Sequence, residues 1–315
     1  MRFNIQKLNT KILSKLRINN AWALAITPKS KKILKASDSH WSSTSTTFLR
    51  SLGIWEFMVT SNGGNLVAPR KHIERFYKSA ETLALECPWN NKELLGFLKE
   101  AVKLFRDKTE CMVYMFLGEE HSATQNPFLA GSPKLVIVVK PRKVRNDQLC
   151  LSGVLAGFAE YMRSDFQAKH YDYRNLVKIL RKNPTIEYSE IVYHQNNLLL
   201  EGARSVAGII KGNEILFPND ECGLLPGCTR WIVMNRLDLA AKGLSAKFAN
   251  ISHEMLFDAD VLFLAGSDRG VQAVKKLQDC QTLKIIKEFN PESNQAFKDL
   301  FALFSDYENS NLGLD

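Results

Sequence analysis

The chain has 315 residues, which is enough for one large domain or two domains of ordinary size. It is 45% hydrophobic and 24% charged, as soluble globular proteins are, and it contains no apolar run long enough to predict a membrane span. The net charge of +9 comes from residues 1–36, which hold nine Lys or Arg and no acid, while the remaining 33 basic and 33 acidic residues balance. This neutral body argues against a nucleic-acid-binding face.

The N-terminal residues 1–20 form a basic extension. The apolar residues Leu8, Ile12, Leu13 and Leu16 recur at helical spacing with lysines between them, so the pattern predicts a short amphipathic helix. The segment has no apolar core of a secretory signal. The absence of acids leaves an organelle-targeting peptide open, although the segment is not rich in Arg or Ser.

The cysteines and histidines predict neither disulfides nor a metal site. The six cysteines are widely separated and include no CxxC pair, which is typical of reduced thiols in a cytoplasmic protein. The six histidines form no HExxH or similar motif. The cysteines are Cys87, Cys111, Cys150, Cys222, Cys228 and Cys280.

The first half of the chain mixes strands and helices. Short runs rich in β-branched and aromatic residues predict strands, and apolar stripes of period 3.6 predict helices. The predicted strands are 21–26, 54–60, 110–119 and 134–140, with a turn at 61–65, and the predicted helices are 70–86 and 91–106.

The charged, aperiodic stretch PRKVRND at 141–147 predicts a linker between two domains. We expect domains at 21–142 and 149–315, joined by residues 143–148. The second domain opens with apolar runs at 149–162 and continues with a strand meander at 191–218 and a buried strand at 261–267. Its predicted helices are 173–182, 229–241, 252–258 and 291–305. The predicted fold class is therefore α+β, a mixed α/β protein of two domains.

Five motifs occur in a fixed order behind the sequence GIWEF. They are His72-Ile73-Glu74-Arg75, then Lys169, then Leu200-Glu201-Gly202, then Leu225-Pro226-Gly227-Cys228-Thr229-Arg230, then Ala265-Gly266-Ser267. As an ordered set over residues 21–305, they resemble the class IV aminotransferases, which are pyridoxal-phosphate (PLP) enzymes of fold type IV. This family includes branched-chain aminotransferases, D-amino-acid transaminases and aminodeoxychorismate lyases.

The resemblance implies roles for two charged residues. Lys169 matches the lysine that holds the cofactor as a Schiff base and moves the proton in catalysis. Glu201 follows three leucines, where an unpaired carboxylate would be costly. It matches the family acid that keeps the pyridine nitrogen of the cofactor protonated, so its implied partner is that ring.

The resemblance also implies a cradle for the cofactor. Arg75 matches the phosphate-binding arginine, and the backbone N–H groups of Cys228 and Thr229 begin a predicted helix, which suits an anion. Ser267 would add a hydroxyl and a further N–H. Tyr173, with Tyr171 behind it, is the expected phenol on the ring oxygen, and an alignment shifted by one residue would place Arg174 there instead. The sequence shows no base beside Cys228, so we expect a backbone contact there and not a nucleophile.

The substrate pocket departs from the family pattern. Leu117 and Met112 stand where D-amino-acid transaminases and branched-chain enzymes, respectively, carry an arginine. The usual Ser-Asn after Glu-Gly is absent from residues 204–207. We hypothesise that Arg50, at the position of a family tyrosine, holds the substrate carboxylate, and that His121 lines the entrance.

Three functions fit these residues. The first is an aminotransferase that acts on an amino acid and a 2-oxo acid. The second is a lyase that uses Lys169 to release pyruvate from an aminated chorismate, a reading that the dipeptide Lys169-His170 echoes. The third is an inactive binding protein of the same fold. By resemblance we expect a homodimer, which we place in the cytoplasm.

Overall fold

The computed structural model describes residues 21–43, 45–61, 64–104, 110–120 and 131–310. The predicted N-terminal helix, His121 and part of the turn at 61–65 lie outside these residues. Within them, no helix is both long enough and apolar enough to cross a membrane.

Within the described residues, the first part of the chain forms six strands and three α-helices, which are β1 (Trp22–Thr27), β2 (Ser30–Lys35), β3 (Gly53–Ser61), β4 (Asn65–Leu66), β5 (Cys111–Glu119) and β6 (Pro133–Pro141), with α1 (Thr46–Arg50), α2 (Pro69–Thr82) and α3 (Asn91–Leu104). The strands form one antiparallel sheet in the order β2-β1-β6-β5-β3-β4. Helices α2 and α3 cover one face of this sheet.

Alternation along two central strands gives this sheet two different faces. On β3, Ile54 and Met58 are fully buried on the face that α2 covers, whereas Trp55 and Phe57 are only half-buried on the other face. On the paired strand β5, Tyr114 is likewise half-buried opposite Phe57. The uncovered face is therefore aromatic.

The second part of the chain, as far as residue 310, forms nine strands and five α-helices, which are β7 (Val154–Glu160), β8 (Glu190–Gln195), β9 (Leu198–Gly202), β10 (Val206–Lys211), β11 (Glu214–Pro218), β12 (Ser245–Ala249), β13 (Val261–Gly266), β14 (Gly270–Asp279) and β15 (Ile285–Glu288), with α4 (Asp147–Ser152), α5 (Arg174–Lys182), α6 (Cys228–Asn235), α7 (His253–Asp258) and α8 (Gln295–Asn309). The strands form one mixed sheet in the order β12-β11-β10-β13-β14-β7-β8-β9, with β15 paired to β14. Its parallel pairs are β7 with β8, β7 with β14, and β11 with β12.

The structure confirms the mixed α/β class but differs from the sequence prediction at several elements. Strand β2 was not predicted because its sequence, SKKILK, is lysine-rich, and it forms an exposed edge of the sheet. The predicted helix 229–241 is wrong beyond Asn235. Asp238 accepts a hydrogen bond from the Ala241 N–H at 3.2 Å, which starts a separate helical turn at Ala240–Lys242.

The predicted linker at 143–148 connects the last strand of the first sheet to the second part of the chain, and it is anchored to the last helix. Arg142 and Arg145 both donate to the Glu308 carboxylate of α8, each at 2.6 Å. All three side chains are largely buried, with exposed fractions of 6%, 12% and 7%. Two guanidinium groups therefore fix the connecting segment onto the second part of the chain.

We expect Glu308→Gln to lower the free energy of unfolding by about 3 kcal/mol, because it removes the one buried counter-charge that the two guanidinium groups share and leaves them only the more exposed carboxylates of Glu110 and Asp147. Urea unfolding of the cofactor-free protein measures this change. The exposed pair Lys78–Glu81 provides a control, since Glu81→Gln removes an ion pair that is open to water. An equal effect of the two substitutions would contradict the role given to Glu308.

Candidate functional site

A cavity of about 930 Å³, counted with its open mouth, brings the predicted cofactor residues together. Its walls come from β3, β5 and α2 on one side, and from β9, the start of α6 and the turn after β13 on the other. It is lined by all seven residues that the sequence assigned to catalysis or to the cofactor, namely Lys169, Arg75, Glu201, Cys228, Thr229, Ser267 and Tyr173.

Lys169 lies in the loop between β7 and α5, and its backbone is held from two directions. Its N–H donates to the Ser79 hydroxyl on α2 at 3.0 Å, and its carbonyl accepts from the Trp55 N–H on β3 at 2.9 Å. The Lys169 ammonium stands 4.1 Å from the centre of the Trp55 ring. These contacts hold the Lys169 amine over the Trp55 ring inside the cavity.

Burial, together with the positive charge of Arg75, lowers the pKa of Lys169 to about 8. The neutral amine, which is the nucleophilic and basic form, is therefore well populated near physiological pH.

We predict that acetylation of Lys169 by acetic anhydride in the cofactor-free protein follows a pH profile with its midpoint near 8. The rate should rise with pH, because only the deprotonated amine reacts and its fraction grows as the pH passes the pKa. Mass spectrometry of labelled peptides measures the profile, with Lys140, a lysine that does not line the cavity, as the internal control. Identical profiles at both lysines would contradict the prediction.

The carboxylate of Glu201 is 4% exposed and has two partners. One oxygen accepts from Arg163 Nε at 2.6 Å, and the other accepts from the Leu225 N–H at 3.1 Å. Arg163 also lines the cavity and donates to the carbonyls of Phe166 and Ala168, so it ties the lysine loop to β9. Arg163 was not predicted from the sequence, because no motif marks an arginine whose partner lies 38 residues away.

Arg75 is held in place by another buried acid, Glu56, which is fully buried on β3. The Nε and Nη2 atoms of Arg75 donate to the two carboxylate oxygens of Glu56 at 2.8 and 2.6 Å, and Nη1 donates a third hydrogen bond to the Pro226 carbonyl. Burial would raise the pKa of Glu56, but Arg75 and His72 hold it well below its usual range. The Arg75 guanidinium is therefore held in a fixed orientation beside the Pro226-Gly227 turn.

The first turn of α6 presents backbone donors to the cavity. Its N-cap is Gly227, which has no side chain to satisfy the leading N–H groups, and Cys228 and Thr229 follow as buried residues of the cavity wall. A Cβ at position 227 would lie 2.2 Å from Val206 Cγ2, so glycine permits the close approach of this turn to β10. An uncapped helix start beside Arg75 suits a phosphate group.

Two tyrosines follow the lysine in its loop. Tyr173 lines the cavity and meets the Trp55 ring edge-on at 6.0 Å, and burial is the main cause that raises its pKa to about 12. Tyr171 packs against Gly53, where a Cβ would lie 2.2 Å from its ring. Tyr173 is thus placed to donate its phenol proton to a bound group, as the resemblance implies.

Three residues singled out from the sequence lie away from the cavity. Arg230 donates hydrogen bonds to the Pro218 carbonyl and to the Asp220 carboxylate. The two ring nitrogens of His170 contact the Ser164 carbonyl and the Asp172 N–H of its own loop. Arg50 is exposed at the end of α1 and is not part of the cavity wall, because that segment is a helix and not a strand end that points inward.

The donor set of the cavity fits PLP. Arg75 and the N–H groups of α6 would hold the phosphate, the Glu201 carboxylate would face the ring nitrogen, and Lys169 would meet the carbonyl carbon. One cluster among the described residues has the ligand types of a metal site, namely Glu56, His72 and Cys228. Arg75 already occupies both Glu56 oxygens, so this cluster is a poor site for a cation.

Comparisons with known proteins agree with this geometry. The family model for amino-transferase class IV matches residues 53–277. A D-alanine aminotransferase of Bacillus licheniformis is 24% identical over 73% of this chain and 80% of its own length.

Solved structures show the same fold. The fold IV transaminase of Curtobacterium pusillum superposes with a TM-score of 0.75 at 19% identity, over 92% of this chain and 99% of that one. An aminotransferase of Brucella abortus, solved with PLP, also gives 0.75, at 17% identity over 92% and 100% of the two chains. From the family match, this chain belongs to the class IV aminotransferases and is a PLP-dependent transferase.

Proposed function

We propose that this enzyme moves amino groups between 2-oxo acids and amino acids with apolar or aromatic side chains, with Lys169 as the catalytic base. The observation that carries the substrate class is the cavity wall that β3 and β5 contribute. Its members are Trp55, Phe57, Met112 and Tyr114, and none of them carries a charge. Such a wall favours an apolar side chain over a carboxylate.

Each cofactor-facing residue then has one task. PLP, when bound, supplies a ring that accepts the electron pair left on the substrate Cα. Lys169 removes the Cα proton of the amino donor and later returns a proton to the corresponding carbon of the 2-oxo acid acceptor. Both tasks suit an amine whose pKa lies near 8. Glu201 keeps the proton on the ring nitrogen, and Arg75 holds the phosphate.

We assign the substrate carboxylate to Arg204 in place of Arg50. Arg204 lines the cavity from the turn between β9 and β10, and its side chain is 49% exposed. Its Nε atom lies 3.5 Å from Glu190 and its Nη2 atom donates to the Ser189 carbonyl at 2.7 Å, so Nη1 retains donors for a carboxylate. We expect Arg204→Ala to raise KM for every donor and acceptor, whereas Arg50→Ala leaves KM unchanged.

The test of the proposed function is a donor and acceptor screen of the PLP-loaded enzyme. Both enantiomers belong in the screen, because the Bacillus licheniformis relative is a D-alanine aminotransferase. We expect turnover that requires an added 2-oxo acid, with apolar and aromatic donors ahead of aspartate and glutamate. Preference for acidic donors would overturn the substrate class. Pyruvate released from aminodeoxychorismate without an acceptor would indicate the lyase.

We also propose that the enzyme is a cytoplasmic homodimer. Phe48 and Leu49 on α1 are 63% and 49% exposed, which is typical of a surface covered by another subunit. All six cysteines are free thiols, which fits a reducing compartment. Light scattering of the purified protein measures the oligomeric state, and a monomer at micromolar concentration would contradict the proposal.

A further inference from the structure

A buried acid, Glu190, supports the turn that carries Arg204 and does not itself line the cavity. Glu190 is the first residue of β8 and is 1% exposed. One carboxylate oxygen accepts from the Ser205 hydroxyl at 3.0 Å, and the other accepts from the Ile191 N–H at 3.1 Å. Ser205 ends the turn between β9 and β10, and residues 202–206 all line the cavity. The carboxylate of Glu190 therefore holds one wall of the cavity from behind.

Two arginines place guanidinium nitrogens beside this carboxylate. Arg204 Nε lies 3.5 Å from one oxygen, and Arg269 Nη2 lies 3.4 Å from the other. Arg269 directly follows Ser267 and Asp268, which line the cavity from the turn after β13. One buried acid thereby contacts both of the polar turns that form this side of the cavity.

The backbone of the turn between β9 and β10 is packed closely around this acid. The Gly202 N–H donates to the Ser205 carbonyl at 2.8 Å, and the Ala203 N–H donates to the Ile191 carbonyl at 2.8 Å. A Cβ at position 202 would lie 2.3 Å from Ser205 Oγ and 3.1 Å from Glu190 Cγ. Glycine at this position therefore leaves the space in which the hydroxyl meets the carboxylate.

Arg204 is restrained before any substrate binds. Its side chain is 49% exposed, and a long exposed side chain loses conformational entropy when it is fixed by a ligand. Its Nη2 atom donates to the Ser189 carbonyl at 2.7 Å, while its Nε atom lies beside Glu190. Both contacts come from adjacent residues at the start of β8. Because they engage Nε and Nη2, they leave the donors of Nη1 for a ligand.

We propose that Glu190 is a positioning residue for substrate recognition. It orients the Arg204 guanidinium so that Nη1 meets the carboxylate that the amino donor and the 2-oxo acid share. This inference rests on the proposed function, in which Arg204 binds that carboxylate. A guanidinium that is already oriented loses less entropy on binding, so Glu190 acts on the affinity for both substrates and not on the proton transfer at Lys169.

Glu190→Gln tests the inference, because it keeps the size of the side chain and an acceptor for Ser205 but removes the charge beside Arg204. With PLP in excess, we expect KM for both substrates to rise at least about tenfold while kcat stays within about threefold of the wild type. An unchanged KM would overturn the inference. Glu308→Gln is the matched control, since Glu308 is also buried beside two arginines but lies outside the cavity wall, and it should leave KM unchanged.

A double variant separates an action through Arg204 from a general effect on the turn. If Glu190 acts through Arg204, Glu190→Gln should raise KM no further in the Arg204→Ala background, whereas an additional rise of about tenfold would overturn the inference. Calorimetric titration of the PLP-loaded enzyme with isocaproate gives a reading without turnover, because this carboxylate has neither an amino nor an oxo group. Its dissociation constant should rise at least about tenfold in each single variant.

Arg204→Lys keeps the inference testable if Glu190→Gln does not fold. A lysine retains the positive charge, but its single nitrogen cannot contact Glu190, Ser189 and a substrate together. We expect its KM to lie within about threefold of that of Arg204→Ala, and a wild-type KM would overturn the inference.

The proposed function can fail separately. An unchanged KM in Arg204→Ala would overturn the carboxylate assignment and the inference with it. A wild type that shows no turnover in the screen would contradict the transaminase function, and binding of isocaproate that depends on Glu190 and Arg204 would still support the inference.

Discussion

Lys169→Ala is expected to lower transaminase turnover at least about a thousandfold, because the variant loses the group that, in the proposed mechanism, both joins the cofactor and moves the substrate proton. The absorbance of the PLP-loaded protein gives an independent reading. The wild type should be yellow and bleach when an amino donor is added, whereas the variant should not turn over. Steady-state rates with the best donor from the screen measure the loss.

Lys140→Ala is the matched control for this substitution. Lys140 also places its ammonium over an aromatic ring, 4.5 Å from the centre of Tyr114, but it does not line the cavity. We expect this variant to keep wild-type turnover. Turnover in Lys169→Ala within tenfold of the wild type would show that another group acts as the base.

Glu201→Gln is expected to lower turnover about a hundredfold, because the amide cannot hold a proton on the ring nitrogen by charge. The same change leaves Arg163 buried without its counter-charge. We therefore expect the free energy of unfolding of the cofactor-free protein to fall by about 3 kcal/mol. Kinetics and urea unfolding measure the two effects separately.

Glu308→Gln distinguishes catalysis from stability in this comparison. Glu308 is buried to the same extent as Glu201 and is paired with arginines, but it lies on α8, outside the cavity wall. We expect the two variants to be destabilised alike and only Glu201→Gln to lose turnover. Parallel losses of turnover in both would attribute the effect to folding.

The ordered motifs were sufficient to predict that the seven residues assigned to catalysis or to the cofactor share one cavity. Lys169, Glu201 and Arg75 come from separate parts of the chain, and each meets the cavity where the resemblance implies. Short motifs carry this information because they include the local turn as well as the side chain, as at Gly227, where only glycine avoids Val206.

The partners of these residues could not be predicted from the sequence. Arg163 pairs with Glu201 across 38 positions, and Glu56 pairs with Arg75 across 19. Such pairs depend on which strands and helices pack together, and neither spacing nor composition records that. For the same reason Arg50, which was placed by its distance from a motif, was expected at the substrate carboxylate and lies instead at the exposed end of a short helix.

The peptide groups of Lys169 have a consequence for how the enzyme is assembled. Both hydrogen bonds of that peptide backbone go to the first part of the chain, to Ser79 and Trp55, although the lysine itself follows β7 of the second sheet. Lys169 acquires both of these backbone hydrogen bonds only when the two parts meet, whereas Arg163 holds the rest of the loop to β9 within the second part. If the chain were cut at the connecting segment, one fragment would carry Lys169 and the other would carry Ser79 and Trp55, so neither fragment alone would hold the amine in position. Binding of PLP by a mixture of the two fragments would therefore report directly that they had reassociated.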